Sequence, residues 1–203
     1  TIIECNTRKY HGLLVAPQPA IDGDNHVIVS SINESIIQTN SIFNLGIHSF
    51  PGQYYPRGHK YITSFVSEPI PKITYQLNKV VLTKERLFSQ EGSRVCIRYK
   101  LEDCSAPVKL RITPFLAFRN VHKLSKANIL VDKNFEKITN GIKLRMYTGY
   151  SYLHLQFSKE TEYIHSPDWW YNFEYAKEKE RGYDYHEDLY VPGFFEFDIE
   201  KGE

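Results

Sequence analysis

Apolar and polar residues alternate with a period of two through much of the chain. In residues 95–102, Val95, Ile97, Tyr99 and Leu101 share one face, and Cys96, Arg98, Lys100 and Glu102 share the other. Val108, Leu110 and Ile112 alternate with Lys109, Arg111 and Thr113. Ile142, Leu144 and Met146 alternate with Lys143, Arg145 and Tyr147, and Leu153, Leu155 and Phe157 with His154 and Gln156. Phe195, Phe197 and Ile199 alternate with Glu196, Asp198 and Glu200. A strand turns successive side chains to opposite faces, so each run predicts a half-buried strand with one wet face, as in antiparallel sheets. The predicted inward set is Val95, Ile97, Tyr99, Leu101, Leu110, Ile112, Leu144, Leu153, Leu155, Phe195 and Phe197. The apolar runs at 12–16 and 27–31 predict more deeply buried strands.

Turn signals recur between these runs at Asp22-Gly23, Pro51-Gly52, Arg57-Gly58, Glu91-Gly92, Asn140-Gly141 and Pro192-Gly193. Asn-Gly between two strand-like runs is a strong hairpin signal. Many short strands with few helical patterns predict an all-β, mainly antiparallel sandwich. One helix is expected over 168–182. Pro167-Asp168 would start it, Gly182 would end it, and Trp169, Phe173 and Ala176 would share a face. No repeat or linker-like stretch divides residues 1–203, which reads as a single domain.

Composition narrows the function. The 203 residues carry 25 Lys plus Arg against 24 Asp plus Glu, a net charge of +1. This gives no electrostatic footprint for nucleic acid or an anionic membrane. No apolar stretch approaches a membrane span, and no leader precedes the first strand. Cys5, Cys96 and Cys104 form no C-x-x-C and cannot all pair within one chain, which suits reduced thiols in the cytoplasm. The eight histidines form no H-x-H or H-x-x-x-H pair, so neither metal nor other cofactor is expected. Asn33-Glu34-Ser35 fits a glycosylation sequon by chance. The opening at Thr1, with Ile2-Ile3 directly behind it, and the turn-like close at Lys201-Gly202-Glu203 suggest a piece cut from a longer protein.

Functional loops are expected near 17–25, 46–60 and 182–193, and candidate chemistry concentrates in three segments, 6–14, 54–61 and 169–190. Arg8, Tyr10 and His11 crowd the approach to the buried strand that follows Gly12. They offer donors and a flat ring to a polyhydroxylated ligand, or else only satisfy a tight turn. If this segment is extended, Arg8 and Tyr10 share a face and His11 turns away, becoming the structural member. Arg57 and His59 lie among Tyr54, Tyr55, Lys60 and Tyr61. Sugar rings suit such aromatic and charged surfaces, although a Tyr-rich loop over a sheet edge explains them equally well. Trp169 and Trp170, followed by Arg181, Tyr183, Glu187 and Asp188, make the third group, whose alternative is core anchoring plus a solvated acidic loop. Glu187 and Asp188 are sequential and would face opposite ways, so they make a poor pair for glycoside hydrolysis, which needs carboxyls facing across the bond. Glu34 is another acid beside a buried strand, with no partner visible in the sequence. No G-x-S-x-G and no glycine-rich phosphate loop occurs. No catalytic residue is assigned.

The run Asn6-Thr7-Arg8-Lys9-Tyr10-His11-Gly12-Leu13-Leu14-Val15 resembles the opening signature of the N-terminal domain of bacterial and archaeal glycogen debranching enzymes. The resemblance continues through Ser30-Ser31-Ile32-Asn33-Glu34, Gly58-His59-Lys60-Tyr61 and Pro114-Phe115-Leu116-Ala117-Phe118-Arg119. It then runs through Glu180-Arg181-Gly182-Tyr183 and Glu187-Asp188-Leu189-Tyr190-Val191-Pro192-Gly193. It implies a β-supersandwich, normally partnered by an (α/α)6 barrel that is absent here and that supplies the catalytic acids. It also implies a parent amylo-α-1,6-glucosidase acting on branch stubs of glycogen-like α-glucans. This chain, inactive alone, would support the barrel and add loops to glucan binding. Two other functions remain open: an autonomous α-glucan-binding module, and a structural partner domain that touches no ligand.

Overall fold

The computed structural model describes residues 5–39, 41–89 and 92–203. Thr1, Ile2, Ile3 and Glu91, used in the sequence reading, lie outside them. The first strands are β1 (Leu14–Pro17), β2 (Asn25–Gln38), β3 (Ser41–Asn44), β4 (Ile47–Phe50) and β5 (Gln53–Arg57). A 3-10 turn, Gly58–Tyr61, leads to β6 (Ile62–Val66), β7 (Lys72–Leu77), β8 (Val80–Ser89) and β9 (Arg94–Asp103). Next come β10 (Val108–Asn120), β11 (Glu136–Ile138), β12 (Gly141–Leu144), β13 (Leu153–Gln156) and β14 (Glu162–Glu174). A single-turn helix, α1 (Ala176–Lys179), precedes β15 (His186–Ile199).

The strands form an all-β sandwich. The large sheet has the order β1-β2-β10-β15-β14, with β3 also pairing β2. A four-stranded sheet, β6-β7-β8-β9, and a three-stranded one, β11-β12-β13, cover one face. Ile36, Leu110, Ile112 and Phe195 of the large sheet share that core with Tyr75, Leu82 and Leu101 and with Ile142 and Leu144. The opposite face carries a smaller cluster of Val27, Phe115, Ala117, Phe173, Leu189 and Val191, with Phe50 of the β4–β5 hairpin packed against it. This double cover shows in β10. Burial alternates from Val108 to Thr113, and every residue from Pro114 to Arg119 is buried.

A buried ion pair crosses the sandwich. Glu34 on β2, wholly enclosed, meets Lys84 Nζ on β8 at 2.6 Å and accepts from the Tyr99 hydroxyl on β9 at 2.6 Å. Burial first, and Glu34 after it, push the Tyr99 hydroxyl well above its ordinary value. The acid that had no visible partner in the sequence thus finds two on the facing sheet.

The expected hairpin forms: Ile138 pairs with Gly141 around Thr139 and Asn140, and Asn140 has φ +54°. Gly141 is required because a Cβ there would strike the Leu155 carbonyl. The inward set is correct for Tyr99, Leu101, Leu110, Ile112, Leu144, Leu153 and Phe195, which are buried or pack on the main core, while Leu155 and Phe197 are half-buried against it. Val95 and Ile97 instead line an open cleft of about 780 Å³ between β9, β13 and the β1–β2 pair, so they are only half-buried.

Beyond the expected loop at 46–60, which forms β4, β5 and the 3-10 turn, two expectations need correction. Residues 168–182 are not one helix: β14 runs to Glu174 and only Ala176–Lys179 is helical. Aromatic residues fit a pleated surface, and Trp169 and Trp170 point to opposite faces. Trp169 packs on Tyr190 at 5.4 Å and Trp170 on Phe115 at 5.2 Å. A register shift between Trp170 and Phe173, with Asn172 at φ +60°, imitates helical spacing. Gly182, at φ +73°, does close the turn. The second correction concerns 182–193. Glu187 and Asp188 belong to β15, which lies between β10 and β14, and not to an acidic loop.

Packing and burial set two stability expectations. Ile112→Ala should cost about 2–5 kcal/mol, Ile97→Ala clearly less, and Arg98→Ala within about 0.5 kcal/mol, as read by urea unfolding. His48 on β4 packs among Phe50, Phe115 and Phe173 and bonds Asn33 Oδ1 through Nε2 at 2.8 Å. Burial lowers its pKa from 6.5 to about 3. Below pH 6.5 the unfolded chain takes up a proton that the folded ring refuses. This contribution is therefore intact above that pH and is lost as pH falls toward 3, by at most about 1.4 kcal/mol per pH unit. His48→Gln should flatten this acid limb when unfolding is followed between pH 7 and 4.

Candidate functional site

Three segments converge where the large sheet is covered on both faces: residues 6–12, 119–126 and 175–188. The first is a closed turn. The His11 N–H donates to the Arg8 carbonyl at 3.0 Å, and the Thr7 N–H donates to His11 Nδ1 at 3.2 Å. Asn6 Nδ2 anchors it to Ser30, reaching the carbonyl at 3.0 Å and Oγ at 3.1 Å. Because His11 Nδ1 accepts, the neutral ring carries its proton on Nε2. Burial is the main cause holding its pKa below the usual value, and the Arg8 charge adds to it. His11 is therefore the member that shapes the turn. At Gly12 a Cβ would come within 2.8 Å of Val27, so only glycine lets the turn lie this close to β2.

The turn docks on α1. The Lys177 N–H donates to the Thr7 carbonyl at 2.9 Å, while Glu178 Oε1 accepts from Arg8 Nε and the Lys9 N–H, each at 3.4 Å. Tyr10 and Tyr183 remain 40% and 58% exposed. Lys9 Nζ lies 5.5 Å from the first ring and 5.7 Å from the second, and the Arg8 guanidinium is 5.6 Å from Tyr10. Tyr10 also meets His122 edge-on, hydroxyl to Nδ1 at 3.3 Å. The result is an exposed aromatic ridge flanked by cations.

Beneath the ridge lies a buried charge pair. Arg119 donates through Nε and Nη2 to the two oxygens of Glu187, and through Nη2 to the Lys9 carbonyl at 2.8 Å. Glu187, 0% exposed, also accepts from the Ser125 N–H and Oγ, both at 3.0 Å, and from the Tyr175 hydroxyl. Burial alone would lower the Arg119 pKa; the carboxylate beside it more than compensates and raises it. Burial and then Glu187 raise the Tyr175 hydroxyl well above its ordinary value. Asp188 faces the other way and accepts from the Ala127 N–H at 3.0 Å and the Asn172 N–H at 2.9 Å. Both acids hold loops in place.

A second network opens beside the first. Asp22 Oδ1 meets His26 Nε2 at 2.8 Å, and His26 Nδ1 meets the Tyr150 hydroxyl at 2.7 Å. Asn120 Nδ2 donates to Asp22 and Asp24, each at 3.1 Å, and its Oδ1 accepts from the His122 N–H at 2.9 Å. Hydrogen bonds thus run from Tyr10 to Tyr150. His26, Phe118, Lys123, Lys126, Asn128 and Tyr150 border a cavity of about 350 Å³. Phe118, at φ +45°, marks the irregular end of β10 there. Beyond it Ile129 and Leu130 stand 96% and 78% exposed, held by the Leu130 N–H to Asn128 Oδ1 bond at 3.0 Å.

The sequence candidates are therefore partly assembled. Arg8, Tyr10, His11, Tyr183 and Glu187 gather around one edge, with Asp188 bracing the same loops. Arg181 is exposed in the turn after α1. Arg57 and His59 are exposed at the end of β5 and in the 3-10 turn. Trp169 and Trp170 are half-buried and pack on Tyr190 and Phe115. Sequence reasoning missed Asp22, His26, His122, Ser125, Tyr150 and Glu178, whose partners lie up to 170 residues away.

A family model described as glycogen debranching enzyme N terminal matches residues 1–203. The chain belongs to this family. Neither a curated protein nor a solved structure matches it. As a debranching-enzyme N-terminal domain, the chain implies a larger parent with a catalytic domain. Among the described residues no helix is long and apolar enough to cross a membrane, and no group of three or more His, Cys, Asp or Glu is placed to hold a metal.

Removing one partner of a buried charge pair leaves the other uncompensated. Glu187→Gln should therefore destabilise the domain by about 3–5 kcal/mol in chemical unfolding. Lys177→Ala, which breaks the exposed pair with Glu180, should change stability by less than about 0.5 kcal/mol.

Proposed function

We propose that this chain is one domain of a glycogen debranching glucosidase. In this reading a following (α/α)6 barrel hydrolyses the α-1,6 branch stubs of glycogen-like α-glucans. The N-terminal domain supports that barrel and presents loop residues to the glucan. The observation that carries this reading is the convergence of 6–12, 119–126 and 175–188 over the buried Arg119–Glu187 pair. A domain that only filled space would have no need to fix three loops so firmly while leaving Tyr10 and Tyr183 in water.

Glycoside hydrolysis needs two carboxyls across the scissile bond. Within the converged loops Glu178, Glu187 and Asp188 are buried and already bonded. These three are not placed as such a pair; the family resemblance puts the catalytic acids in the barrel, and in this reading the domain alone does not turn over substrate. Exposed Tyr10, with Arg8 and Tyr183 beside it, is the part offered to glucan, through ring stacking and hydrogen bonds. The free thiols of Cys5, Cys96 and Cys104 suit the cytoplasm.

In the full-length parent, Tyr10→Ala should lower kcat/KM on a branched limit dextrin by about ten- to a thousandfold, with a melting temperature close to wild type. Unchanged kinetics, or a loss fully explained by unfolding, would remove the glucan contact from this domain.

A further inference from the structure

The cavity beside Tyr150 has a chemistry that the ridge does not share. Its floor is rigid. The Gln18 carbonyl accepts from the N–H groups of Ile21, Asp22 and Gly23, and Gln18 Oε1 accepts from the Ser151 N–H at 3.0 Å, which ties the β1–β2 turn to the segment bearing Tyr150. One wall is aromatic, with Phe118 5.3 Å and Tyr147 6.3 Å from the Tyr150 ring. Lys123 and Lys126 form the outer lip, and Asn128 fixes Tyr147 through Nδ2 to the hydroxyl at 2.9 Å. At about 350 Å³ the space falls at the small end of the range for small-molecule sites.

Hydrogen-bond polarity selects the ligand. Ionised Asp22 can only accept, so a neutral His26 places its single proton on Nε2 and leaves Nδ1 as an acceptor. The Tyr150 hydroxyl must then give its proton to His26. Burial first, and Asp22 after it, raise that hydroxyl to about 12, so it stays a phenol. Its remaining capacity is to accept, from a ligand that donates. Charge points the same way: Asp22 and Asp24 balance Lys123 and Lys126, while Arg119 is already matched by Glu187. A neutral ligand rich in hydroxyls, with an apolar face for the aromatic wall, fits better than an anion.

We propose that this cavity is a second α-glucan subsite, which takes one or two glucosyl units with a sugar hydroxyl donating to Tyr150 and Lys123 donating at the lip. The proposal rests on the functional reading above and adds a position to it. The Tyr10–His122–Asn120–Asp22–His26–Tyr150 hydrogen bonds connect the residues of the two sites.

The test is calorimetric titration of the full-length parent with linear maltooligosaccharides, which contain no α-1,6 bond to cleave. Tyr150→Phe and, separately, the exposed-lip variant Lys123→Ala should each weaken binding by about three- to tenfold, with melting temperatures near wild type. Wild-type affinity in Lys123→Ala together with wild-type affinity in a folded Tyr150→Phe would overturn the subsite. Inorganic phosphate is the second titrant. Saturable phosphate binding that Lys123→Ala abolishes would overturn the polyol assignment, and its absence supports it. If the cavity variants are silent while Tyr10→Ala loses turnover, only the subsite falls. If Tyr10→Ala is silent as well, the wider functional reading falls with it.

Discussion

The Arg119–Glu187 pair is the interaction around which the functional edge is organised. A carboxylate with no access to water is tolerable only when its lone pairs are filled, and Glu187 is filled by Arg119, Ser125 and Tyr175. Arg119 and Ser125 come from the 119–126 segment and Tyr175 from just after β14, and Arg119 also reaches back to the Lys9 carbonyl. One buried charge thus fixes the 6–12 turn, the 119–126 segment and the start of β15 against each other. The exposed side chains above it gain their geometry from this buried set.

A similar device serves another purpose on the opposite face of the large sheet. Glu34, Lys84 and Tyr99 link β2 to the four-stranded sheet through hydrogen bonds, where apolar contact alone would allow sliding. The two clusters lie on opposite faces, and each ties the sheet to different neighbours. One sets how the sandwich halves face each other; the other sets how loops meet at an edge.

Much of this was legible from local pattern, and the reasons for the remainder are physical. Period-two alternation identified the faces of β9, β10 and β15 because a half-wet strand writes its environment into its sequence. The doubly covered end of β10 writes no alternation, so nothing there signalled that Arg119 would be buried. The helix expected over 168–182 failed because a bulge at Asn172 shifts strand spacing into apparent helical spacing. The turn before Gly12 was visible as an unusual density of Arg, Tyr and His, and His11 took the structural role that alternation allowed. His26 and Tyr150 could not be paired from sequence: each is unremarkable alone, and 124 residues separate them.

Ile129 and Leu130 carry a colloidal consequence. Two branched hydrocarbon side chains held almost wholly in water impose ordered hydration that any apolar contact would release. The chain's net charge of +1 supplies almost no long-range repulsion to keep copies apart. Purified by itself near neutral pH, the domain should approach its solubility limit through this tip, well before any strand has unfolded.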